Sequence, residues 1–498
     1  MLKGSMKLKP WTKKDVILNV VTYVANAFVF VLLYFGMIYL ESVDSAVNFT
    51  EYFSDAKNLV SFILLVVPIC AVTAVYFLFE DRDFLKDALN SEMIFLILQL
   101  SLIICFVTGR YVSIYLRPVA LAAMLALFLT NSKTAFIINI FFNVIMFIFD
   151  SFSVTFQTAY FINVVFFLIT GIACGALSVL VMKNVRSRIK IIGLSFLVSL
   201  PIFMFLALPV SLLTSDNTLT SIICGFLAGP LAGVALTVLL PVFEAVFKKI
   251  TGFKLAELTD HKSKLIRALI SEAPGTFNHS IVVSNIAEAC ATAIGEDALL
   301  ARTCAYYHDI GKLRRAEFFT ENQLDENPHN DLMPELSANI IRSHTVDGYT
   351  LIRKNRLPQE IADVCEQHHG TMPILYFYDK AKKFTDGEVD IRQFCYAGPK
   401  PQSKIAAIIM IADSSEAATR TLKERTRERV KKVVRKIVSE RMQMGQFDEC
   451  EITLKELNII INTVINSLTG IYHSRIEYPK VSLEGLDIEQ DKEEGSEE

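Results

Sequence analysis

The residues with the clearest chemistry in this 498-residue sequence are histidines and aspartates of its second half. Asp309 follows His308 directly, and Asp413 ends an apolar run that starts at Ile408. Imidazole and carboxylate ligands together suit Mn, Fe and similar metals, whereas an all-oxygen set would suit Mg or Ca. Five of the eight histidines lie on or at the end of predicted helices: His279, His308, His344, His368 and His369. With the two aspartates they make seven candidate ligands, which is enough for two divalent ions.

Each of these residues taken singly has a simpler interpretation. A lone histidine at a helix end is more often a cap or a packed core residue than a metal ligand. The adjacent pair His368 and His369 is different, because an apolar helix face precedes it and Gly370 follows it, so packing explains it poorly. Together with the segment His308–Lys312, this pair favours one joint metal site over separate structural roles.

Helical periodicity runs through the segments that carry these residues. Polar turns are predicted at Glu326–Asn330 and Ala397–Pro401, and we find no convincing strand alternation. An amphipathic linker helix, Leu255–Ala273, precedes this region and is closed by Pro274. The second half is therefore predicted to be an all-α bundle of helices. Apolar residues recur at helical spacing in Ile281–Ile294, Ala298–Tyr307, Leu336–Ile352, Pro358–His368, Ser403–Ala418 and Thr426–Val438.

The first half of the chain is apolar enough for a lipid bilayer. Hydrophobic residues make up 52% of the sequence, and charged residues become dense only from Lys248 onward. A helix needs about 20 apolar residues to span the hydrocarbon core, since each residue rises about 1.5 Å. Pro118–Thr130 is shorter than this, so the tally is eight spans with it and seven without it. The other runs are Val16–Leu40, Leu59–Phe79, Met93–Gly109, Thr134–Phe149, Tyr160–Met182, Ile191–Thr214 and Thr220–Val246.

Basic residues predict the orientation of these spans, because short loops rich in Lys and Arg stay on the cytoplasmic side. The N-terminus and the loop Lys183–Lys190 are basic, and Lys248 and Lys249 follow the last span. The segments Glu41–Asp55 and Asp150–Ala159 contain no Lys or Arg. An even number of spans places the basic N-terminus and the residues after the last span on the same, cytoplasmic side. It therefore predicts a multi-pass protein of the cell membrane with its second half in the cytoplasm. The first run is too long for a signal-peptide core and is predicted to be an anchor.

Stripes of glycines spaced four residues apart occur in two of the spans. Such glycine stripes let helix backbones approach closely. Packing within one subunit is the simpler interpretation, and a homodimer through these helices is the alternative. The stripes are Gly225, Gly229 and Gly233 in the last span, and Gly171 and Gly175 earlier.

No span is expected to carry the paired charges of an ion path, because Arg110, Arg117 and Glu244 lie near the ends of runs.

Charge and cysteine usage argue against two further classes of protein. A net charge of −3 supplies no electrostatic case for binding a nucleic-acid polymer. The basic helix Lys423–Lys436 alternates its charges with Glu424, Glu428 and valines, which indicates a solvated amphipathic face. The nine cysteines show no CxxC spacing, so they are predicted to be reduced residues and neither a disulfide frame nor a zinc site.

Over long motifs the sequence resembles the HD-domain phosphohydrolases, and specifically the seven-transmembrane-receptor HD proteins that hydrolyse cyclic di-AMP. The resemblance covers roughly residues 255 to 480 and the general design of the anchor. It departs from the family between the first two spans, where most relatives carry a large extracytoplasmic domain and this chain has only about Glu41–Asn58. Asn278 and Val346 stand where relatives often have histidine and lysine. The motifs are Glu272–Ser280, His308–Lys312, Phe318–Gln323, Asn327–His329, Ser343–Gly348, His368–Thr371, Gly398–Gln402, Ile411–Asp413, Gly470–His473 and Arg475–Pro479.

The resemblance implies a ligand set and a reaction. Two ions about 3.5 to 4 Å apart can share a hydroxide and clamp the attacking and leaving oxygens of an in-line displacement. Asp309 is then catalytic, and Lys312 is placed to neutralise a phosphate oxygen of the substrate, unless it is a solvated surface lysine. The implied reaction opens cyclic di-AMP to the linear dinucleotide pApA. One metal would be held by His279, His308, Asp309 and Asp413, and the second by His344, His368 and His369, with Asp309 bridging the two.

Three other functions fit the sequence less well. An HD-GYP-type enzyme for cyclic di-GMP would carry a Gly-Tyr-Pro element after its paired histidines, whereas Gly-Thr-Met-Pro follows His369 here. A receptor that binds a nucleotide without cleaving it would be favoured by a missing ligand, yet all seven are present. A transporter would need charges within its spans. The predicted domains are a cytoplasmic N-terminus (1–15), a transmembrane domain (16–247), a linker helix (248–275), an HD domain (276–480) and an acidic disordered tail (481–498).

Overall fold

Helices form both halves of the chain in the computed structural model, which describes residues 12–44, 56–153, 161–206, 218–323, 326–384 and 388–471. The predicted all-α class is confirmed, since the described residues contain no strand and only an isolated bridge joins Pro373 and Cys395. The predicted acidic tail and the motif positions after 471 lie outside the described residues.

Seven helical stretches of the described apolar half are long enough to cross a membrane, and α7 and α8 together form one of them. The helix α4 is the exception, because its nine residues rise only about 14 Å against about 30 Å of hydrocarbon. The helices are α1 (Lys13–Asp44), α2 (Ala56–Glu80), α3 (Ala88–Tyr111), α4 (Leu121–Leu129), α5 (Ser132–Ser151), α6 (Phe161–Met182), α7 (Arg188–Val198), α8 (Leu200–Leu206) and α9 (Thr218–Val246).

One end of this bundle, which we call the near end, carries the start of α1. Asn19 of α1 donates a hydrogen bond to the carbonyl oxygen of Leu85, which lies just before α3. The ammonium of Lys133, at the start of α5, lies 2.9 Å from a carboxylate oxygen of Glu80 at the end of α2. The starts of α1, α3 and α5 and the end of α2 therefore lie together.

The opposite end, the far end, holds a buried ion pair. Arg117, just before α4, lies 2.8 Å from Asp150 of α5, and both side chains are almost fully buried. Glu41 of α1 accepts a hydrogen bond from Ser153 beside this pair. The expectation that no span carries the paired charges of an ion path placed Arg117 near the end of a run, and it did not foresee that Arg117 pairs with Asp150 there. Arg117 and Asp150 each border a different apolar run, and only the packing of α5 against the segment before α4 pairs them.

The short helix α4 carries the chain from the far end to the near end. Arg117 before it lies at the far end, and Lys133 after it lies at the near end. All α4 residues except Phe128 are buried. Irregular backbone on either side of so short a helix is tolerated at membrane depth only where protein surrounds it. Along the described residues the chain thus runs between the two ends eight times, an even number.

The glycine stripes pack against helices of the same chain. A Cβ at Gly175 of α6 would overlap the side-chain oxygen of Asn139 in α5, whose amide nitrogen donates to a carbonyl of α6 at 2.8 Å. A Cβ at Gly229 of α9 would overlap the backbone of Ser195 in α7. A Cβ at each of the other stripe glycines would also lie less than 3.0 Å from a side chain of α5, α7 or α8. These faces are occupied within one chain, as the simpler interpretation holds, and they supply no support for a dimer.

The second half overlaps all six predicted helical segments and adds α16 and α19, which the periodicity did not predict. Five-residue or shorter 3₁₀ turns connect several of its helices, including Ile310–Arg314 after the histidine-aspartate pair. The helices are α10 (Gly252–Leu258), α11 (Lys264–Glu272), α12 (Pro274–Ile294), α13 (Ala298–Tyr307), α14 (Pro334–Lys354), α15 (Gln359–Gln367), α16 (Leu375–Phe384), α17 (Lys404–Arg420), α18 (Arg427–Gln443) and α19 (Leu454–Ile471).

The linker consists of two helices, α10 and α11, and the prediction of one continuous helix is wrong. A turn separates them, in which Asp260 accepts a hydrogen bond from the backbone N–H of Lys262 at 2.8 Å. Such a side-chain bond competes with helical backbone bonds. Tyr307, at the end of α13, donates to the carbonyl of Leu258 at 2.7 Å and so ties α10 to the residue before His308.

The linker begins at the near end of the membrane half. Phe253 of α10 packs against Phe128 of α4 with ring centroids 5.0 Å apart. Arg188, at the start of α7, lies 2.9 Å from Glu257 of α10. The second half therefore extends from the end of the bundle at which α1 starts.

The first part of α17, Ile405–Ala412, is apolar on every side and lies at the centre of the second half. All of its residues from Ile405 to Ala412 are buried, and Asp413 follows them. A helix that is hydrophobic all round has to be enclosed by others, and α12, α13, α15, α18 and α19 pack around it. The cysteines form no disulfide, as predicted, and all but Cys395 are buried.

Candidate metal centre

Three of the five predicted histidines share one local arrangement. In His308, His344 and His368, Nδ1 lies 2.6 to 2.7 Å from the carbonyl oxygen of the residue three positions earlier. A proton on Nδ1 is donated to that carbonyl, which leaves the lone pair of Nε2 available as a ligand. Each ring is thereby held by its own helix or helix end before any ligand binds.

His279 on α12 is held differently, by a carboxylate. Its Nδ1 lies 2.6 Å from Oε2 of Glu416, and its Nε2 lies 3.0 Å from Oδ1 of Asp413. Burial lowers the pKa of His279, but the two carboxylates outweigh burial and raise the pKa to about 9. Glu416 is a residue that the sequence analysis missed. Its signal was present, because Asp413, Glu416 and Arg420 recur at helical spacing on α17 and so share one face.

Asp309 lies between two pairs of imidazoles. Its Oδ2 is 3.2 Å from Nε2 of His308 and 3.7 Å from Nε2 of His279. Its Oδ1 is 3.3 Å from Nε2 of His344 and 3.7 Å from Nε2 of His368. Each carboxylate oxygen therefore faces a different pair of histidines, an arrangement suited to a bridging ligand.

The remaining two predicted residues, His369 and Asp413, close the cluster. Nδ1 of His369 lies 3.7 Å from Oδ2 of Asp413. All seven predicted residues thus come together from α12, α14 and α17 and from the segments that directly follow α13 and α15. Their potential ligand atoms form two groups, each within 4.8 Å: one of Asp309, His344, His368 and His369, and one of His279, His308 and Asp413.

The cluster fits a bound metal better than a hydrogen-bonded core. In the part of the chain that the structure describes, His308 Nε2 and Asp309 Oδ1 are buried without a hydrogen-bond partner. An unpaired buried polar group costs about 1–3 kcal/mol, and a coordinated cation would remove that cost. Imidazole nitrogens with carboxylate oxygens are also the ligand set that borderline divalent metals accept. These residues could therefore hold two ions.

The electrostatics of the cluster favour the ligand forms of His368, His369 and Asp309. Burial lowers the pKa of His368 to about 4, with a further contribution from His308. Burial, together with His368, holds the pKa of His369 well below its usual value. Burial raises the pKa of Asp309, but His308 and Lys312 outweigh burial and hold this pKa well below its usual value. Neutral imidazoles and an ionised carboxylate are the forms that coordinate cations.

Lys312 is a buried member of the site, so its interpretation as a solvated surface lysine is wrong. Its Nζ lies 2.8 Å from Oδ2 of Asp309 and 2.7 Å from Oε1 of Glu321, and its side chain is 12% exposed. Burial lowers the pKa of Lys312, but the two carboxylates outweigh burial and raise this pKa. Glu321 was present in the sequence analysis only as part of a motif, since nothing local to it indicated that it would reach Lys312.

His369 is the ligand candidate with the largest exposed side-chain fraction, 22%, and it marks the open side of the cluster. The ring of Tyr396 stacks on it with centroids 4.4 Å apart. Gly370, which follows, has a φ of +54° in the left-handed region, and a Cβ there would overlap the side chain of Gln446. Gln446 also holds the next residue, since it accepts a hydrogen bond from Thr371 N at 3.0 Å. Tyr396 and Gln446 come from distant segments, so the sequence analysis missed them.

Comparison with known proteins connects both halves of the chain to one architecture. The model of the family described as "7TM receptor with intracellular HD hydrolase" matches residues 56–251, and the HD domain model matches residues 276–418. A cyclic-di-AMP phosphodiesterase, PgpH, of Bacillus subtilis is 38% identical over 85% of this chain and 60% of its own length. The PgpH of Listeria monocytogenes is 40% identical over 73% of this chain and 50% of its own length.

The chain thus spans only about half to three fifths of these curated relatives. A crystal structure of the Listeria monocytogenes PgpH HD domain is 47% identical and covers 42% of this chain and 99% of its own, with a TM-score of 0.41. The two family models together cover well over half of the chain, and they match it in the predicted order, with the membrane region before the HD domain. The resemblance drawn from the motifs is confirmed: the chain belongs to the family of seven-transmembrane receptors with an HD hydrolase domain.

Proposed function

We propose that this chain is a membrane-anchored phosphodiesterase that uses two divalent cations, Mn or Fe, to hydrolyse cyclic di-AMP to pApA. The observation that supports this most is the position of Asp309, whose two oxygens face different pairs of imidazoles. The HD domain is that of a hydrolase family. The curated relatives carry the name cyclic-di-AMP phosphodiesterase, and this is the reason for choosing cyclic di-AMP over other cyclic dinucleotides.

The residues of the cluster would act by holding the two cations in fixed positions. Two bound cations would supply charge stabilisation for a phosphodiester and a water of lowered pKa as nucleophile. The rings of His308, His344 and His368 are locked by their Nδ1 contacts to carbonyls, so they need little reorganisation. Asp309 joins the two groups, and its position sets the spacing between them.

Lys312 would bind a phosphate oxygen of the substrate. Its ammonium group has three protons, and the carboxylates of Asp309 and Glu321 account for two of them. A cation in so buried a place attracts an anion more strongly than one in water does. A phosphate oxygen that reaches the cluster would thus meet a charge that is already oriented.

The near end of the membrane half would face the cytoplasm. Twelve described basic residues lie at or next to the near end, whereas three lie at the far end. Such an asymmetry favours the cytoplasm for the basic side. Two of the far-end residues have partners there, since Arg110 donates to the carbonyl of Leu40 and Arg117 pairs with Asp150. Because the linker leaves from the near end, the HD domain would meet cytoplasmic nucleotides.

Turnover of cyclic di-AMP by the purified full chain in detergent tests the proposal. Release of pApA should require added Mn or Fe and should stop when a chelator removes the metal. His308→Ala and Asp309→Ala should each lower turnover by about 100-fold or more, since even residues that only support a ligand are worth about 10–100-fold. His261→Ala is the matched control, because this exposed histidine of the same half lies outside the cluster and should leave turnover unchanged.

The other outcomes separate the alternatives. Preferential cleavage of cyclic di-GMP would indicate an HD-GYP-like specificity. Binding of cyclic di-AMP without release of pApA at any metal concentration would favour a receptor. A chain that neither binds nor cleaves a cyclic dinucleotide would overturn the proposal.

A further inference from the structure

Glu416 is the one carboxylate in direct contact with a histidine of the cluster that is not among the seven predicted ligands, within the residues the structure describes. It is 2% exposed, and its Oε2 lies 2.6 Å from Nδ1 of His279. The ring nitrogens of His308, His344 and His368 that correspond to this one meet neutral carbonyl oxygens instead. Both ligand groups therefore contain histidines supported by carbonyls, and the group of His279 and His308 has in addition one histidine supported by a carboxylate.

We propose that Glu416 is a positioning residue that acts through His279 and makes the group of His279, His308 and Asp413 the tighter of the two cation sites. A carboxylate behind a ligating histidine fixes the ring, keeps the proton on the far nitrogen and increases the basicity of the ligating nitrogen. This inference rests on the proposed metal centre, and it does not depend on the identity of the substrate.

The geometry at His279 suits this role. With Nδ1 facing Glu416, Nε2 faces the interior of the cluster, 3.0 Å from Oδ1 of Asp413 and 3.7 Å from Oδ2 of Asp309. Asp413 and Glu416 lie one turn apart on α17, so the same helix face meets both nitrogens of one imidazole. A shift of Glu416 would rotate the ring away from both aspartates.

Arg420 holds Glu416 from the other side. Its Nη2 lies 2.7 Å from Oε2 of Glu416, and its Nε donates to Oε1 at 3.2 Å. A guanidinium that meets both oxygens of a carboxylate fixes the plane of that carboxylate. Nη2 also lies 3.2 Å from Nδ1 of His279, and since a guanidinium only donates, it cannot take the place of Glu416 as the acceptor for an Nδ1 proton.

The two groups should therefore bind cations unequally. The group with His279 has Asp413, the nearby Oδ2 of Asp309 and the charge of Glu416 behind it. The group with His344 has the Oδ1 of Asp309 as its carboxylate oxygen and carbonyl support for two of its rings. Because Arg420 compensates the charge of Glu416, the effect of Glu416 comes from fixing the ring and tautomer of His279, so its loss should weaken one site far more than the other.

Metal titration of the purified full chain tests this inference without reference to catalysis. Isothermal titration with Mn, and the absorption spectrum of the Co-loaded protein, should resolve two classes of site. Glu416→Ala should weaken one class by about 10–100-fold and leave the other within about threefold. Glu416→Gln should fall between wild type and alanine, because its amide oxygen can still accept from Nδ1 while the charge is lost. Glu440→Ala, an exposed acid four positions from Lys436 on α18, is the control and should leave both classes unchanged.

Activity supplies a second readout if the proposed function holds. At limiting Mn, Glu416→Ala should lower kcat with little change in KM for cyclic di-AMP, and excess Mn should restore kcat. A merely structural role would leave activity low at every metal concentration.

The outcomes separate this inference from the proposed function. Equal loss at both classes, or binding within threefold of wild type at both, overturns it. If the alanine variant does not fold, the glutamine variant decides, and unchanged affinity in that variant overturns the proposal. If wild type binds two ions in a Glu416-dependent way but cleaves no cyclic di-AMP, the inference stands and the substrate proposal fails.

Discussion

The backbone contact at Gly311 yields the sharpest test of how the fold builds the cluster. Gly311 lies in the 3₁₀ turn after Asp309 and packs directly on the backbone of α14. A Cβ there would overlap the carbonyl oxygen of His344, and it would lie 2.5 Å from the backbone N of Gly348. Backbone atoms have no rotamer through which to escape, so Gly311→Ala must push the turn and α14 apart.

The size of the effect follows from these distances. Ordinary contact needs 3.4 Å or more, so the two segments must separate by about 1 to 1.5 Å. His344 belongs to α14, and its Nε2 lies 3.3 Å from Oδ1 of Asp309. Separating the turn from α14 therefore lengthens the distance between these two candidate ligands. Sites of this kind tolerate about 0.5 Å, and a misplacement of about 1 Å can cost about 100-fold in rate. Overpacking should also cost about 1–3 kcal/mol of stability.

The assay measures metal stoichiometry, pApA release and thermal unfolding for the full chain in detergent. Gly311→Ala should lose the ion of the group that contains His344 and should lower kcat by about 100-fold. Gly470→Ala on α19 is the matched control, because nothing lies within 4 Å of a Cβ at that position. It should be neutral or stabilising by about 1 kcal/mol. Two bound ions and turnover within twofold of wild type in Gly311→Ala would refute the reasoning.

Three further predictions follow from ion pairs and hydrogen bonds. Lys312→Met should destabilise the metal-free chain by about 3–5 kcal/mol, since it leaves buried carboxylates unpaired, and thermal melts should show that added Mn restores part of the loss. Tyr307→Phe should cost about 1–2 kcal/mol, because the buried carbonyl of Leu258 loses its donor, and hydrogen exchange should quicken in the linker turn. Burial raises the pKa of Glu456, but Lys404 and the hydrogen bonds from Thr453 together outweigh burial and hold this pKa below its usual value. The stabilisation from the Lys404–Glu456 ion pair is thus present above about pH 4.5 and is lost as the pH falls further. Glu456→Gln should therefore remove the pH dependence of hydrogen-exchange protection in α19.

Each of these predictions has a clear contradiction. Equal Mn-induced shifts in the melting temperature of wild type and Lys312→Met would show that metal charge does not substitute for the ammonium. Unchanged exchange in the linker turn would show that Tyr307 does not secure it. If protection in α19 is still lost below pH 4.5 in Glu456→Gln, carboxylates other than Glu456 cause that loss.

Local pattern determined much of this protein in advance of its structure. Seven long apolar runs, helical periodicity in the second half and the identity of seven imidazole and carboxylate residues are properties of short segments, and the structure brings those seven together. The motifs also sufficed for the family. Helix breaks were less accessible, because the polar residues Thr259–Ser263 do not by themselves end a helix, and the turn between α10 and α11 is stabilised by a side-chain bond of Asp260.

Residue type and helical period depend on neighbours along the chain, so short segments are enough to predict them. Which helix faces meet became known only from the folded chain, and with it the division of the oxygens of Asp309 between two pairs of histidines and the place of Glu416 behind His279. The same holds for the pair of Arg117 and Asp150, whose partners are 33 positions apart. Such contacts arise from the packing of distant helices, and no local preference encodes the distance between two side chains.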